Sequence, residues 1–138
     1  MILLDTNILS ELMRPRPNID VISWMDNQLT STLFTSAITR AEIELGVALL
    51  PAGKRKQRLA TLIPYVFDKF PQRCLSFEET AAVYYGRIVA NRIKIGRPIS
   101  VEDAQIASIA LANGLHLATR NEKDFEEISN LVVINPWH

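Results

Sequence analysis

Four acidic side chains lie where strands are expected to end and helices to begin. Asp5 directly follows the apolar run Ile2–Leu4, and Glu42 begins the segment after the second such run. Asp103 begins the segment that leads into the fourth run, and Asp124 follows that run. Parallel strands point the same way, so the residues beyond them share one sheet edge, where open α/β sheets bind ligands. We therefore expect the four carboxylates to converge.

Converging carboxylates would repel one another, by about 4 kcal/mol for a pair about 4 Å apart at an effective dielectric constant of about 20. Either some of them take up protons, which raises their pKa values, or a divalent cation lies among them. Oxygen ligands suit Mg²⁺ or Mn²⁺, whereas Cys74, His116 and His138 are too scattered for a zinc site. Because carboxylate-bound Mg²⁺ binds phosphate and activates water, this pattern favours phosphodiester hydrolysis.

The same residues also have a purely structural interpretation as helix caps, because short polar side chains at a helix start accept hydrogen bonds from unpaired N–H groups. Asp5 has an N-cap position, and capping-box patterns occur at Thr39–Glu42, Ser76–Glu79, Ser100–Asp103 and, more loosely, Asn121–Asp124. If the acids are only caps, the chain is a non-catalytic interaction module. Glu79 is expected on an outer strand, away from the other four acids.

The elements that must position these residues alternate along the chain. Helical spacing of apolar residues separates the strand-like runs, which lie at 2–4, 33–35, 74–75, 115–118 and 131–134. One long helical stripe starts near Phe77, includes Ile93 and is expected to end at Gly96. We predict an α/β fold of three layers, in which a central parallel sheet of about five strands is covered by helices on both faces.

Length and composition fit one domain over residues 1–138, since no repeat or composition shift marks a second. The formal net charge is zero, so global electrostatics neither favour nor exclude a polyanionic partner. No apolar run approaches the length of a membrane span, and a soluble, cytoplasmic protein is expected. Cys74, the single cysteine, is expected to be a buried structural thiol.

Four motifs, taken in order, resemble one known family. They are ILLDTNILSE at the start, SAITRAEIELGVA in the first third, ISVEDAQIASIALANGL before the fourth strand and LATRNEKDF after it. Together they are similar to the PIN-domain ribonucleases, specifically the VapC-type toxins of type II toxin–antitoxin pairs, and the likeness spans the whole chain. The ending NPWH resembles the branch of this family typified by the toxin FitB.

The resemblance implies a PIN-like fold and an endoribonuclease that depends on Mg²⁺ or Mn²⁺. It implies an acidic core of Asp5, Glu42 and Asp103, in which Asp5 and Asp103 are the direct metal ligands. Asp124 is favoured as the fourth acid. The implied supporting residues, which orient the carboxylates or bound water or act as a neutral ligand or cap, are Thr6, Asn7, Ser36 and Asn121.

The resemblance also implies a homodimer and a cognate VapB-type antitoxin. The antitoxin's tail would cross the acidic groove and insert an arginine near the carboxylates. Promoter DNA would be bound only through the antitoxin. Arg14 and Arg16 lie near the proposed site, where they either contact RNA phosphates or belong to the solvated surface. For the basic run Lys54–Arg58 a solvated helix face is favoured.

One other enzyme class remains open, a phosphatase of the haloacid-dehalogenase kind, in which the aspartate after the first strand is the nucleophile. The signature of that class has a second aspartate two residues further on, and this chain has Asn7 there. Dinucleotide-binding, P-loop and serine-hydrolase functions lose their main support because their glycine-framed motifs are absent.

Overall fold

The computed structural model describes all residues from 1 to 138. Five strands alternate with six α-helices: β1 (Ile2–Leu4), α1 (Thr6–Leu12), α2 (Ile19–Asp26), β2 (Leu33–Ser36), α3 (Ala37–Ala48), α4 (Lys54–Phe67), β3 (Cys74–Leu75), α5 (Glu79–Lys94), α6 (Val101–Ala112), β4 (His116–Ala118) and β5 (Val133–Ile134). Two short 3₁₀ helices lie at Thr30–Thr32 and Glu122–Phe125. None of the helices combines the length and apolar character needed to cross a membrane.

The strands form one parallel sheet in the order β3-β2-β1-β4-β5. The chain moves outward from β1 to β3 on one side and then returns to add β4 and β5 on the other. The carboxyl ends of β1 and β4 therefore form the switch point at which open α/β sheets bind ligands. Leu4 is paired with Ala118 across these two strands, so Asp5 and Thr119 leave the sheet side by side.

Alternation along β1 divides the core into two layers, because successive strand residues point to opposite faces. Ile2 and Leu4 pack with buried residues of α1 to α4, while Leu3 packs with buried residues of α5 and α6. The contacts between α5 and α6 are the most extensive of any two elements. The predicted three-layer α/β fold with a five-stranded parallel sheet is thereby confirmed.

Several local predictions fail. Cys74 is exposed, because β3 is a two-residue strand at the sheet edge. Ile93 is 63% exposed although it continues the apolar stripe of α5. Neither Thr39 nor Ser76 caps a helix: Ser36 caps α3 instead, and α5 begins at Glu79 with no side-chain cap. Gly96, with φ of 73°, does follow the end of α5 as expected.

Candidate active site

Asp5 lies at the switch point between β1 and β4 and is only 4% exposed. Its Oδ1 accepts a hydrogen bond from the Thr6 backbone N–H (2.8 Å), so Asp5 is also the N-cap of α1. Its Oδ2 accepts from Thr119 Oγ1 (2.7 Å) and from Asn7 Nδ2 (3.3 Å). Burial raises the pKa of Asp5 and the negative charge of Asp124 adds to this, while the hydrogen bonds act in the opposite direction.

Thr119 is a site residue that sequence reasoning missed. It is fully buried directly after β4, the position that corresponds to Asp5 after β1. Besides donating to Asp5, its Oγ1 accepts from Asn7 Nδ2 (3.2 Å) and from the Asn121 backbone N–H (3.1 Å). One hydroxyl therefore connects Asp5 to the loop that leads to Asp124. The sequence did contain one signal for Thr119, because it directly follows an apolar run that predicts a strand.

Glu42 lies within α3, in its second turn, so it is not a helix cap. Its Oε1 accepts a hydrogen bond from Thr6 Oγ1 (2.6 Å), and Thr6 Oγ1 lies 3.1 Å from Thr39 Oγ1. The Ser36 hydroxyl caps α3 by accepting from the Thr39 backbone N–H (3.1 Å) and thus acts on the helix that carries Glu42. Burial raises the pKa of Glu42, and the charges of Asp5 and Glu102 raise it further against the Thr6 hydrogen bond.

Asp103 is half-buried in the first turn of α6. Its backbone N–H donates to the cap residue Ser100 at Oγ (3.1 Å), so this capping prediction is confirmed. Burial raises the pKa of Asp103 to about 6; the negative charges of Asp5, Asp124 and Glu42 contribute, and the Ser100 hydrogen bond opposes them. Asp103 therefore interacts electrostatically with each of the other three predicted acids.

Asp124 is exposed in the 3₁₀ helix that follows Asn121. The Asn121 side chain makes no capping hydrogen bond there. The segment is fixed instead by Arg92 of α5, a second residue that sequence reasoning missed. Arg92 is 4% exposed and donates from Nη1 to the Asp124 carbonyl (2.9 Å) and the Glu126 carbonyl (3.0 Å), and from Nε to the Arg97 carbonyl (2.7 Å).

The donor set is chemically suited to a hard divalent cation, because it consists only of carboxylate oxygens. A carboxylate has about four acceptor positions, and the hydrogen bonds to Asp5 use three of them. No three His, Cys, Asp or Glu side chains are grouped closely enough to hold a metal ion. The acids therefore influence one another's pKa values from positions further apart than the ligands of a bound metal ion would be. Repulsion between carboxylates that no cation neutralises favours such a separation.

A cavity of about 750 Å³ opens beside Glu42, whereas Asp5, Asp103 and Asp124 do not line it. Thr6, Asn7 and Glu42 line it, which joins it to the candidate site. Arg14 also lines it, and Arg14 Nη1 contacts Glu11 Oε1 at 3.2 Å. Arg16, the other predicted RNA contact, is exposed and outside the lining.

Known proteins of similar sequence cover nearly the whole chain. Plasmid stability protein StbB of Pseudomonas syringae is 45% identical, over 99% of this chain and 99% of that protein. Toxin FitB of Neisseria gonorrhoeae is 41% identical, over 100% of this chain and 99% of that protein. VapC ribonuclease Y4jK of Sinorhizobium fredii is 39% identical over 99% and 98%.

Two solved structures give the same result for the fold. The structure of FitAB bound to IR36 DNA superposes with a TM-score of 0.91 and 40% identity, and covers 100% of this chain and 96% of that one. The structure of VapBC2 of Rickettsia felis, bound to a promoter DNA fragment, superposes with a TM-score of 0.79 and 29% identity, and covers 98% of each chain. The sequence model of the PIN domain matches residues 2–131. This chain therefore belongs to the PIN-domain family.

Proposed function

We propose that this chain is the toxin of a toxin–antitoxin pair and acts as a divalent-metal-dependent endoribonuclease. The observation that carries the proposal is the buried Asp5 at the switch point, whose charge raises the pKa values of Glu42 and Asp103. A fold that only needed helix caps would not bring acids from separate helices into mutual repulsion. The relatives named toxin FitB and VapC ribonuclease support the same activity.

Asp5 and Asp103 are the residues that would hold Mg²⁺ or Mn²⁺. When bound, the cation would supply charge neutralisation at the phosphate and an acidified water. Thr119, Thr6 and Asn7 fix the Asp5 carboxylate by donating hydrogen bonds to it. These hydrogen bonds orient the Asp5 carboxylate before a cation or substrate binds, so less conformational freedom would be lost on binding.

Glu42 is the carboxylate suited to accept a proton from the attacking water. Thr6 orients the Glu42 carboxylate by donating a hydrogen bond to Oε1. The raised pKa of Glu42 makes this carboxylate a stronger base than an ordinary glutamate. Asp124 adds negative charge from the loop that Arg92 anchors. Water attack in line with the leaving oxygen would give 5′-phosphate and 3′-hydroxyl ends on the RNA.

The partners follow from the related complexes. FitAB and VapBC2 are complexes of two components with DNA. From these complexes we expect a cognate VapB-type antitoxin for this chain and promoter DNA bound through that antitoxin. The homodimer is expected from the family resemblance. A toxin that acts on cellular RNA is expected to work in the cytoplasm.

The two alternatives explain less. A phosphatase with Asp5 as nucleophile needs an acid two residues further on, but Asn7 is there and donates its amide to Asp5. The interaction-module hypothesis is correct about the Ser100 cap and about Asp5 as an N-cap. It does not explain Glu42, which lies inside α3 and accepts from Thr6 of another helix.

The test is cleavage of total cellular RNA with and without EDTA, with the new ends mapped by sequencing. Cleavage should require the divalent cation, and Asp5→Ala or Asp103→Ala should abolish both cleavage and growth arrest. Glu79→Ala is the matched control, an exposed acid in the first turn of α5, and should cut normally. RNA cut equally well by Asp5→Ala would refute the proposal.

A further inference from the structure

The cavity that Glu42 lines also has arginines on its lining, and the proposed chemistry does not use them. Four arginines line it, namely Arg14, Arg55, Arg58 and Arg120, and the glutamates on the lining are Glu11 and Glu42. These arginines come from three separate parts of the chain: Arg14 follows α1, Arg55 and Arg58 both lie in α4, and Arg120 follows β4. The cavity therefore joins the Glu42 side of the candidate site to a group of positively charged side chains.

Two of the arginines are already engaged. Arg14 pairs with the buried Glu11, whose Oε2 also accepts from the Asn18 backbone N–H (2.8 Å). Arg58 donates from Nη1 to the Met13 carbonyl (3.2 Å). Arg58 thus joins α4 to the end of α1 and maintains the shape of the cavity.

The guanidinium groups of Arg55 and Arg120 take part in none of the chain's ion pairs. Arg55 is exposed at the start of α4. Arg120 directly follows Thr119, and its guanidinium carbon lies 5.2 Å from the ring centre of Trp137. Stacking on an aromatic ring orients a guanidinium while leaving its N–H donors available.

The cavity also has an apolar wall. Ile43 and Val47 of α3 are buried core residues that line it, together with Met13 at the end of α1. Planar bases gain by leaving water for such a wall, while their phosphates need positive charge. Charges and apolar wall together match a single-stranded nucleic acid better than a free anion.

From this arrangement we infer that the cavity is the RNA-binding track next to the scissile bond, with Arg55 and Arg120 as phosphate contacts. The inference rests on the proposed function and adds substrate-binding residues to it. Arg120 is placed to contact the phosphate close to the reaction, because it adjoins Thr119 and through it Asp5. Arg55, which lines the cavity from α4, would contact a phosphate further along the strand.

The experiment measures binding of a short fluorescein-labelled single-stranded RNA by anisotropy, in EDTA so that the RNA is not cut. Arg55→Gln and Arg120→Gln should each weaken binding roughly tenfold, as expected for the loss of one charge-assisted hydrogen bond. Each should also lower the slope of log Kd against log salt by about 0.7. Arg87→Gln, at an exposed position of α5, is the control and should leave both quantities unchanged.

A second probe, poly-L-glutamate, separates RNA from an acidic protein partner. If both substitutions weaken polyglutamate binding and leave RNA binding unchanged, the surface takes a protein and the inference is wrong. Equal RNA binding by wild type, Arg55→Gln and Arg120→Gln would also refute it. A wild-type chain that binds RNA through these arginines but never cuts it would instead refute the proposed function and leave this surface intact.

Discussion

Replacing Asp103 by asparagine should stabilise the fold above pH 6 while it abolishes RNA cleavage. Burial and three neighbouring carboxylates raise the pKa of Asp103 from 3.8 to about 6. Between these two pH values the folded chain holds a proton that the unfolded chain has released. Stability therefore falls as pH rises through this window, and the whole penalty is present above pH 6. Asparagine does not ionise, so the Asp103→Asn variant does not carry this free-energy penalty.

The size of the effect follows from the pKa. A rise from 3.8 to about 6 is equivalent to about 3 kcal/mol. Because Asp103 is only half-buried, solvent screening reduces this to about 1.5 kcal/mol. The pKa of about 6 is the net result of all interactions of the ionised carboxylate, including those at the start of α6, so no separate helix-terminus cost is subtracted. The gain for Asp103→Asn should be about 1.5 kcal/mol above pH 6 and close to zero near pH 3.8.

Urea unfolding at one pH above 6 and at another close to 3.8, in EDTA, measures this difference directly. Glu79→Gln is the matched control, because Glu79 occupies the first turn of α5 and lies outside the group of interacting acids. It should show no gain at either pH. If Asp103→Asn is destabilised above pH 6, or if its effect is the same at both pH values, the carboxylates do not repel one another as argued.

Two further substitutions test the supports of the site. Thr119→Val removes a hydrogen bond from buried Asp5 and should cost about 1 to 3 kcal/mol in unfolding free energy and lower kcat, whereas Thr119→Ser should restore kcat. Full activity in Thr119→Val would show that Asp5 needs no such support. Arg92→Lys loses part of the carbonyl contacts that hold the Asp124 segment, so protease cleavage around residue 124 and a lower kcat are expected together. A loss of stability without either change would make Arg92 purely structural.

The sheet and its acidic edge were predictable because they depend on local signals. Buried parallel strands are short continuous apolar runs, and β1 and β2 begin where those runs begin. An acid directly after such a run, as Asp5 is, must lie at the carboxyl end of a strand. β4 and β5 are shorter than predicted, since Leu115 and Leu131 are apolar without being paired in the sheet.

What failed depends on contacts between distant parts of the chain. The two residues of β3 do not reveal that it is an edge strand, so the exposure of Cys74 was missed. Arg92 acts on the Asp124 carbonyl, 32 residues later, and nothing near Arg92 indicates it. The Thr39–Glu42 capping pattern was misleading because α3 already begins after Ser36, its N-cap. Glu42 therefore lies in the second turn, where its Oε1 accepts a hydrogen bond from Thr6.

We propose that Asp5 and Asp103 bind a divalent cation together. Mn²⁺ binding, followed by the electron paramagnetic resonance signal of the free ion, tests it without reference to any RNA. Wild type and Glu79→Gln should bind Mn²⁺, while Asp5→Asn and Asp103→Asn should each lose most of that binding. Mn²⁺ held equally well by Asp103→Asn, or not held at all by wild type, would contradict the account.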